Sequence, residues 1–384
     1  MSISKVLCGA DRIMEYSKLF EGKRIGLITN PSGVLRDLTA TADFLHRHFN
    51  LVAMYSPEHG VRGDAQAGAA IEAYVDVQTG VTVYTIYGEH RFPKPEILSG
   101  IDVMVYDIQD IGSRYYTYIY SMANCMQACA KLNIPFVVLD RPNPIGADCP
   151  EGTGMEDGCR SFIGQYPILQ RYALTCGELA RLFNGEYGFD ADLTVVPMSG
   201  WKRSLLLSDT DLPMINPSPN IASVDAEILY NGTCLFEGSN LSEGRGTTRP
   251  FEYIGAPWLD ADQFAAELNT MELPGVRFRP TCFTPAFHKH KDTLCAGVQV
   301  HVLDRTKVMP VELGVCMFLK AKELSGTRFE FVPPRHETGD YTIDLLIGSN
   351  MIRREGIEVQ EVQAEMRRAK NEFLPIWTKY KFYS

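Results

Sequence analysis

No stretch of the 384 residues approaches the ~20 consecutive apolar positions of a membrane-spanning helix, so no membrane span is expected. The opening MSISKVLCGADRIM has no apolar core of the signal-peptide kind, which makes a cytoplasmic location the default and export in the native context the alternative. A Lys/Arg block is missing too, and 37 basic against 47 acidic residues leave a formal charge of −10. That balance argues against a nucleic-acid or anionic-membrane partner, because little would release condensed counterions, and leaves a small molecule as the expected partner. No CxxC pair occurs among the ten cysteines. Cys125 and Cys129, one helical turn apart, read as packing rather than as a bridge, in line with a reducing compartment. No GxGxxG follows the first apolar run, and GxxxxGK[ST], GxSxG and HExxH do not occur. Neither a nucleotide cofactor nor a nucleophile elbow is indicated, and His288, His290 and His301 make no recognisable ligand set, so no cofactor and no metal are expected.

What is present reads as an ordinary globular chain, 45 % hydrophobic and 22 % charged, long enough for two domains or one large α/β unit. RIGLIT (24–29), a helical segment at 37–48 and LVAMYS (51–56) form a strand, helix, strand unit, which implies a parallel sheet. The pattern continues through VTVYTIY (81–87), IDVMVYDI (101–108), a helix at 115–131 and PFVVLD (135–140), all apolar on both faces as covered parallel strands are. A helix at 175–185 should be capped by Thr175 with Glu178 three residues on, ahead of a strand at 192–198. Pro213, Pro217 and Pro219 stiffen what reads as a crossing segment near a domain boundary. Beyond it, 297–304 alternates like a strand, 310–323 is helical, and 358–380 closes the chain as a charged helix.

Four strands run into polar clusters: Asn30 after the first, Glu58 and His59 after the second, Asp107 to Arg114 next, and Asp140, Arg141 and Asn143 after the strand at 135–140. Ligands in open parallel sheets bind outside the carboxyl ends of the strands, so these clusters are expected to converge on one crevice. Glu58 is a candidate general acid and His59 a residue that orients it or touches substrate. Asp107, Gln109, Asp110, Arg114, Tyr115 and Tyr118 offer the ring faces and polar rim that sugar recognition needs. For DRPNP (140–144) a rigid turn with an internal Asp–Arg pair is an equal reading.

A second dense region is CLFEGSNLSEGRGTTRPFE (234–252), with Glu237, Glu243, Arg245, Thr247, Arg249 and Glu252 set among three glycines. It suits a loop that wraps a ligand, and equally a solvated turn bound by its own ion pairs.

Taken together, GLITNPSGV, SPEHGVRGD, YDIQDIGSRYYTY, VLDRPNPIG, PSPNIAS, GTCLFEGSNLSEGRGTTRPFE and GAPW resemble the exo-β-N-acetylmuramidase family of bacterial peptidoglycan recycling, formerly a domain of unknown function, over nearly the whole chain. The resemblance implies a Rossmann-like parallel-sheet domain (1–230), a smaller C-terminal α/β domain (231–384), an active-site cleft between them, and release of N-acetylmuramic acid from the non-reducing end of MurNAc-β-1,4-GlcNAc fragments. On the matched motifs Glu58 is the best catalytic acid or base, with Glu243 or Asp107 as its partner. Arg245 and Arg249 suit the lactyl carboxylate that distinguishes muramic acid from glucosamine. The chain departs from the family pattern at Tyr172-Ala173-Leu174-Thr175, where His-Gly-Met-Thr is expected. A muropeptide-binding protein without turnover, and an exo-hydrolase for another acidic or acetamido sugar, are the alternatives.

Overall fold

Strands buried on both faces need helices above and below, and the computed structural model, which describes residues 3–58, 60–63, 73–334 and 339–384, has that arrangement. Seven strands, β1 (Arg24–Thr29), β2 (Asn50–Ser56), β3 (Ala73–Val75), β4 (Thr82–Thr85), β5 (Val103–Asp107), β6 (Phe136–Leu139) and β7 (Leu193–Val196), form one sheet in the order β3-β4-β2-β1-β5-β6-β7. All pair in parallel except β3, a three-residue antiparallel edge on β4 that sequence periodicity did not reveal. The order reverses between β1 and β5, the switch point where a doubly wound sheet opens a crevice. A second, antiparallel sheet holds β8 (Tyr253–Ala256), β10 (Cys295–Val302) and β9 (Val276–Phe283) in that order.

The α-helices are α1 (Thr41–His48), α2 (Pro95–Leu98), α3 (Tyr118–Lys131), α4 (Cys176–Glu186), α5 (Val224–Thr233), α6 (Ala261–Thr270), α7 (Pro310–Ser325), α8 (Thr342–Ile347) and α9 (Val359–Tyr380). α4 begins in the expected capping box, Thr175 Oγ1 accepting from the Glu178 amide at 3.2 Å and Glu178 Oε2 from the Thr175 amide at 3.0 Å. The expected helix at 115–131 starts three residues late, because Tyr116 is turned back on Ser113 by a 3.0 Å backbone bond. Residues 115–117 are thereby left as a loop.

The expected domain boundary at 230 lies inside α5, which packs on α7 with the Gly232 and Gly314 backbones in direct contact; a Cβ on Gly232 would sit 1.8 Å from the Pro310 carbonyl oxygen. α9 then recrosses the chain. Its buried stripe of Val362, Met366, Ala369, Phe373, Trp377 and Tyr380 follows helical spacing and packs on both α4 and α7. One hydrophobic core therefore runs from β1 to α9 through both sheets. Among the described residues no helix is long and apolar enough to cross a membrane.

Candidate active site

A cavity of about 170 Å³ opens beyond the end of β2. Glu58, just after β2, forms one side, Tyr115 and Tyr116 come from the loop that the late start of α3 leaves free, and Tyr118 from the first turn of α3. Ser218 and Asn220 enter from the proline-stiffened segment, Tyr230 from α5, and Arg245 and Phe251 from the 234–252 stretch. The rings brace one another: Tyr230 meets Phe251 edge-on at 4.7 Å, Tyr116 meets Tyr118 at 4.9 Å, and the Arg245 guanidinium lies 5.0 Å over Phe251. Burial, partly offset by the Asn30 side chain, pushes the Tyr118 hydroxyl up, and the nearby Glu58 charge adds to the effect.

The strand-end residues that follow β1, β5 and β6 do not line this cavity. Asp107, fully buried at the end of β5, holds Arg141 in a fork, Nε to Oδ1 at 2.6 Å and Nη2 to Oδ2 at 2.9 Å, while the same guanidinium donates to the Val34 carbonyl at 2.7 Å. Asn30 accepts from the Ser32 amide at 2.9 Å and donates to the Pro217 carbonyl at 3.3 Å. Gln109 donates to the carbonyls of Asp110 and Pro142, and Asn143 to that of Leu174. Asp140 accepts from Thr175 Oγ1, the Gly177 amide and the Tyr383 hydroxyl; burial nevertheless pushes its carboxyl up to about 7. Arg114 is wholly buried and clamps the carbonyls of Ile168 and Leu346.

The crevice at the β1/β5 switch point exists, but Leu207, Leu212, Pro213 and Ile215 roof it and leave only about 20 Å³. The expected convergence on one open crevice is corrected accordingly: Asp107, Gln109 and Arg141 gather beneath this roof, while Glu58 goes to the separate cavity beyond β2. Tyr172, at the departure from the family pattern, is buried and hydrogen-bonds Asp110 rather than lining the cavity.

The 234–252 stretch contributes one wall. Gly246, at φ 82°, lets the loop pass so close that a Cβ there would meet the Phe287 carbonyl oxygen at 2.5 Å. Arg245 pairs with Glu237 at 2.7 Å, and this partner holds the guanidinium proton against the lowering effect of burial. Glu243 is fully buried, with Lys289 Nζ at 2.9 Å, His288 Nδ1 at 3.1 Å and Arg245 Nε at 3.5 Å. Burial alone would raise its carboxyl, but these cationic and hydrogen-bonding neighbours hold it well below the usual carboxylate range. Thr247 closes a local turn on the Gly244 carbonyl, and half-exposed Arg249 pairs with Glu252 at 3.2 Å.

Of the described sequence candidates, the structure brings Glu58, Tyr115, Tyr118 and Arg245 onto the cavity, while Asn30, Asp107, Gln109, Asp110, Arg114, Asp140, Arg141, Asn143, Glu237, Glu243, Thr247 and Arg249 lie off its lining. His59 lies outside the described residues. Tyr230 and Phe251 gave no signal distinguishable from core aromatics, and Ser218 and Asn220 sit in PSPNIAS, which reads as part of a crossing segment and as a family motif but is given no site role. The three histidines do not converge: His288 faces Glu243, His290 donates to the Asn240 carbonyl at 2.7 Å, and His301 accepts from Arg279 at 3.4 Å.

Family models described as exo-beta-N-acetylmuramidase NamZ, N-terminal and C-terminal, match residues 25–225 and 228–383. The peptidoglycan beta-N-acetylmuramidase NamZ of Bacillus subtilis (strain 168) is 46% identical over 385 residues, covering 99% of this chain and 92% of its own. Crystal structures of two DUF1343 family proteins from Bacteroides fragilis NCTC 9343 superpose with TM-scores of 0.90 and 0.79, at 39% and 30% identity, each covering 99% of both chains.

Proposed function

The chain belongs to the exo-β-N-acetylmuramidase family, and on that premise we propose that it is a glycoside hydrolase releasing terminal N-acetylmuramic acid from the non-reducing end of peptidoglycan fragments such as MurNAc-β-1,4-GlcNAc. The observation that carries this reading is that a carboxylate and a guanidinium from distant parts of the chain, Glu58 and Arg245, line one cavity. The two units are taken as 1–230 and 231–384 with that cavity between them. At about 170 Å³ the space falls below the ~300 Å³ at which ligand pockets usually begin, which leaves no room for a length of glycan.

In this reading Glu58 transfers a proton at the glycosidic oxygen, and Arg245 receives the lactyl carboxylate as a charged hydrogen-bond donor. Tyr116, Tyr230 and Phe251 offer ring faces to the sugar, and Ser218 and Asn220 offer polar groups to its hydroxyls. Asp107 and Glu243, the acids named with Glu58 from the sequence, are each buried and held by a cation, Arg141 and Lys289, so the proton chemistry falls to Glu58. His59, next to Glu58 in sequence, stays a candidate substrate contact. The ten cysteines are free thiols, which fits a reducing, cytoplasmic compartment.

The test is turnover of a chromogenic N-acetylmuramic acid β-glycoside beside the matching N-acetylglucosaminide. Rapid release from the first and little from the second is expected. Binding of the muramic acid compound without turnover would instead make the protein a muropeptide receptor, and equal hydrolysis of both would make it a different exo-hydrolase.

A further inference from the structure

The wall that should receive an anion holds more negative than positive charge until one distant side chain is counted. Arg245 lies between two carboxylates, Glu237 at 2.7 Å and Glu243 at 3.5 Å. Two acids against one guanidinium would repel a substrate carboxylate. Lys289 supplies the missing charge. Its Nζ, on a side chain only 17% exposed, lies 2.9 Å from Glu243 Oε2 and spends its other two hydrogens on the carbonyls of Phe236 at 2.8 Å and Leu241 at 3.0 Å. All three of its donors therefore grip the stretch that carries Arg245.

The loop that delivers Lys289 is held in an uncommon backbone path. His288, His290 and Asp292 have φ of 69°, 56° and 58°, left-handed values that non-glycine residues adopt at a cost when the surroundings impose them. Docking imposes them here. The Ala286 amide donates to the Gly246 carbonyl at 2.8 Å, and His290, bonded to the Asn240 carbonyl, meets Trp258 edge-on at 5.4 Å.

We propose that Lys289 is a positioning residue for anionic-sugar recognition: by neutralising the buried Glu243 carboxylate, it removes the wall's excess negative charge and leaves Glu237 as the acid that the Arg245 guanidinium still answers while facing the cavity. The inference rests on the reading of Arg245 as the carboxylate receptor. It concerns charge balance rather than mere support of the loop, and that difference is measurable.

Calorimetric titration of the full chain with N-acetylmuramic acid and with N-acetylglucosamine, which lacks the lactyl carboxylate, separates the two. Lys289→Met should weaken N-acetylmuramic acid about tenfold and N-acetylglucosamine less than about twofold, as expected for one unit charge removed at several ångströms from the ligand. Lys289→Arg should recover most of the loss. The double variant Lys289→Met/Glu243→Gln, in which cation and acid leave together, should discriminate between the sugars as the unaltered protein does. Equal weakening of both sugars by Lys289→Met, or a double variant as indiscriminate as the single, overturns the inference while leaving the proposed function standing. If Lys289→Met does not give the circular dichroism of a folded chain, Lys289→Gln takes its place in the same comparison with the double variant, with the same expected and overturning results. An unaltered protein that does not prefer N-acetylmuramic acid would overturn the Arg245 reading and this inference together.

Discussion

The strand-end network and the cleft wall are written in the same residues, acids, arginines and amides, and do opposite things with them. Beneath the 207–217 roof each charge is answered inside the protein: Asp107 by Arg141, Asp140 by three hydrogen-bond donors, and the Asn30, Gln109 and Asn143 amides by backbone carbonyls. Around the cavity the charges also face open space, since Glu58 and Arg245, the latter while paired with Glu237, both border a volume that a ligand can enter. Residue type and strand-end position do not separate the two cases. What separates them is whether a distant segment arrives to cover the group, as Leu207 to Pro217 does over the β1/β5 switch point.

The largest way to break this contrast is through the two acids. Glu58→Gln should lower kcat by about 10²–10⁴-fold, the usual worth of a positioned proton donor, with the unfolding midpoint unchanged. Turnover near that of the unaltered protein would sink the assignment of Glu58. Asp107→Asn should do the reverse: removing one partner of a buried pair leaves Arg141 uncompensated and costs about 3–5 kcal/mol in urea unfolding. If Asp107→Asn kept full stability and lost turnover, the network would be chemical after all.

Titration sharpens the contrast further. Burial raises the Asp140 carboxyl from 3.8 to about 7 in the folded chain. Between those values the unfolded chain has already released a proton that the folded chain still holds, so rising pH favours unfolding. The contribution of Asp140 is complete below about pH 4 and is lost by about pH 7, with a slope near 1.4 kcal/mol per pH unit between. Asp140→Asn should flatten this part of the stability profile measured by denaturant unfolding from pH 4 to 7. An unchanged slope would mean that Asp140 is ionised in the folded protein.

Local chemistry was legible in the chain, and coverage was not. The Thr175–Glu178 capping box, the two-faced apolar strands and the Glu58 loop each declare themselves within a few residues, so the parallel sheet and one side of the cavity could be read directly. The three residues of β3 carry too short a pattern to register. Tyr115 looked like the first turn of a helix because nothing local announces that α3 begins at Tyr118. The roof over the switch point comes from about a hundred positions beyond Asp107, and Lys289 reaches Glu243 from 46 residues away. Such contacts depend on the completed fold, and a polar residue's partners are therefore the last thing a sequence yields.

The finest version of the contrast lies within a single motif. Arg245 and Arg249 are four residues apart and are chemically identical, yet Arg245 is three-quarters buried on the cavity while Arg249 is half-exposed and paired with Glu252 off it. Arg245→Met should raise KM for the muramic acid substrate about tenfold or more, since a charge-assisted bond in a partly dry site is lost. Arg249→Ala removes a surface pair usually worth less than about 1 kcal/mol, so KM should stay within about twofold and stability nearly unchanged. Equal KM effects from the two variants would mean that the loop closes on its ligand and carries Arg249 inward, and the boundary between the cavity wall and its exposed flank would have to be redrawn.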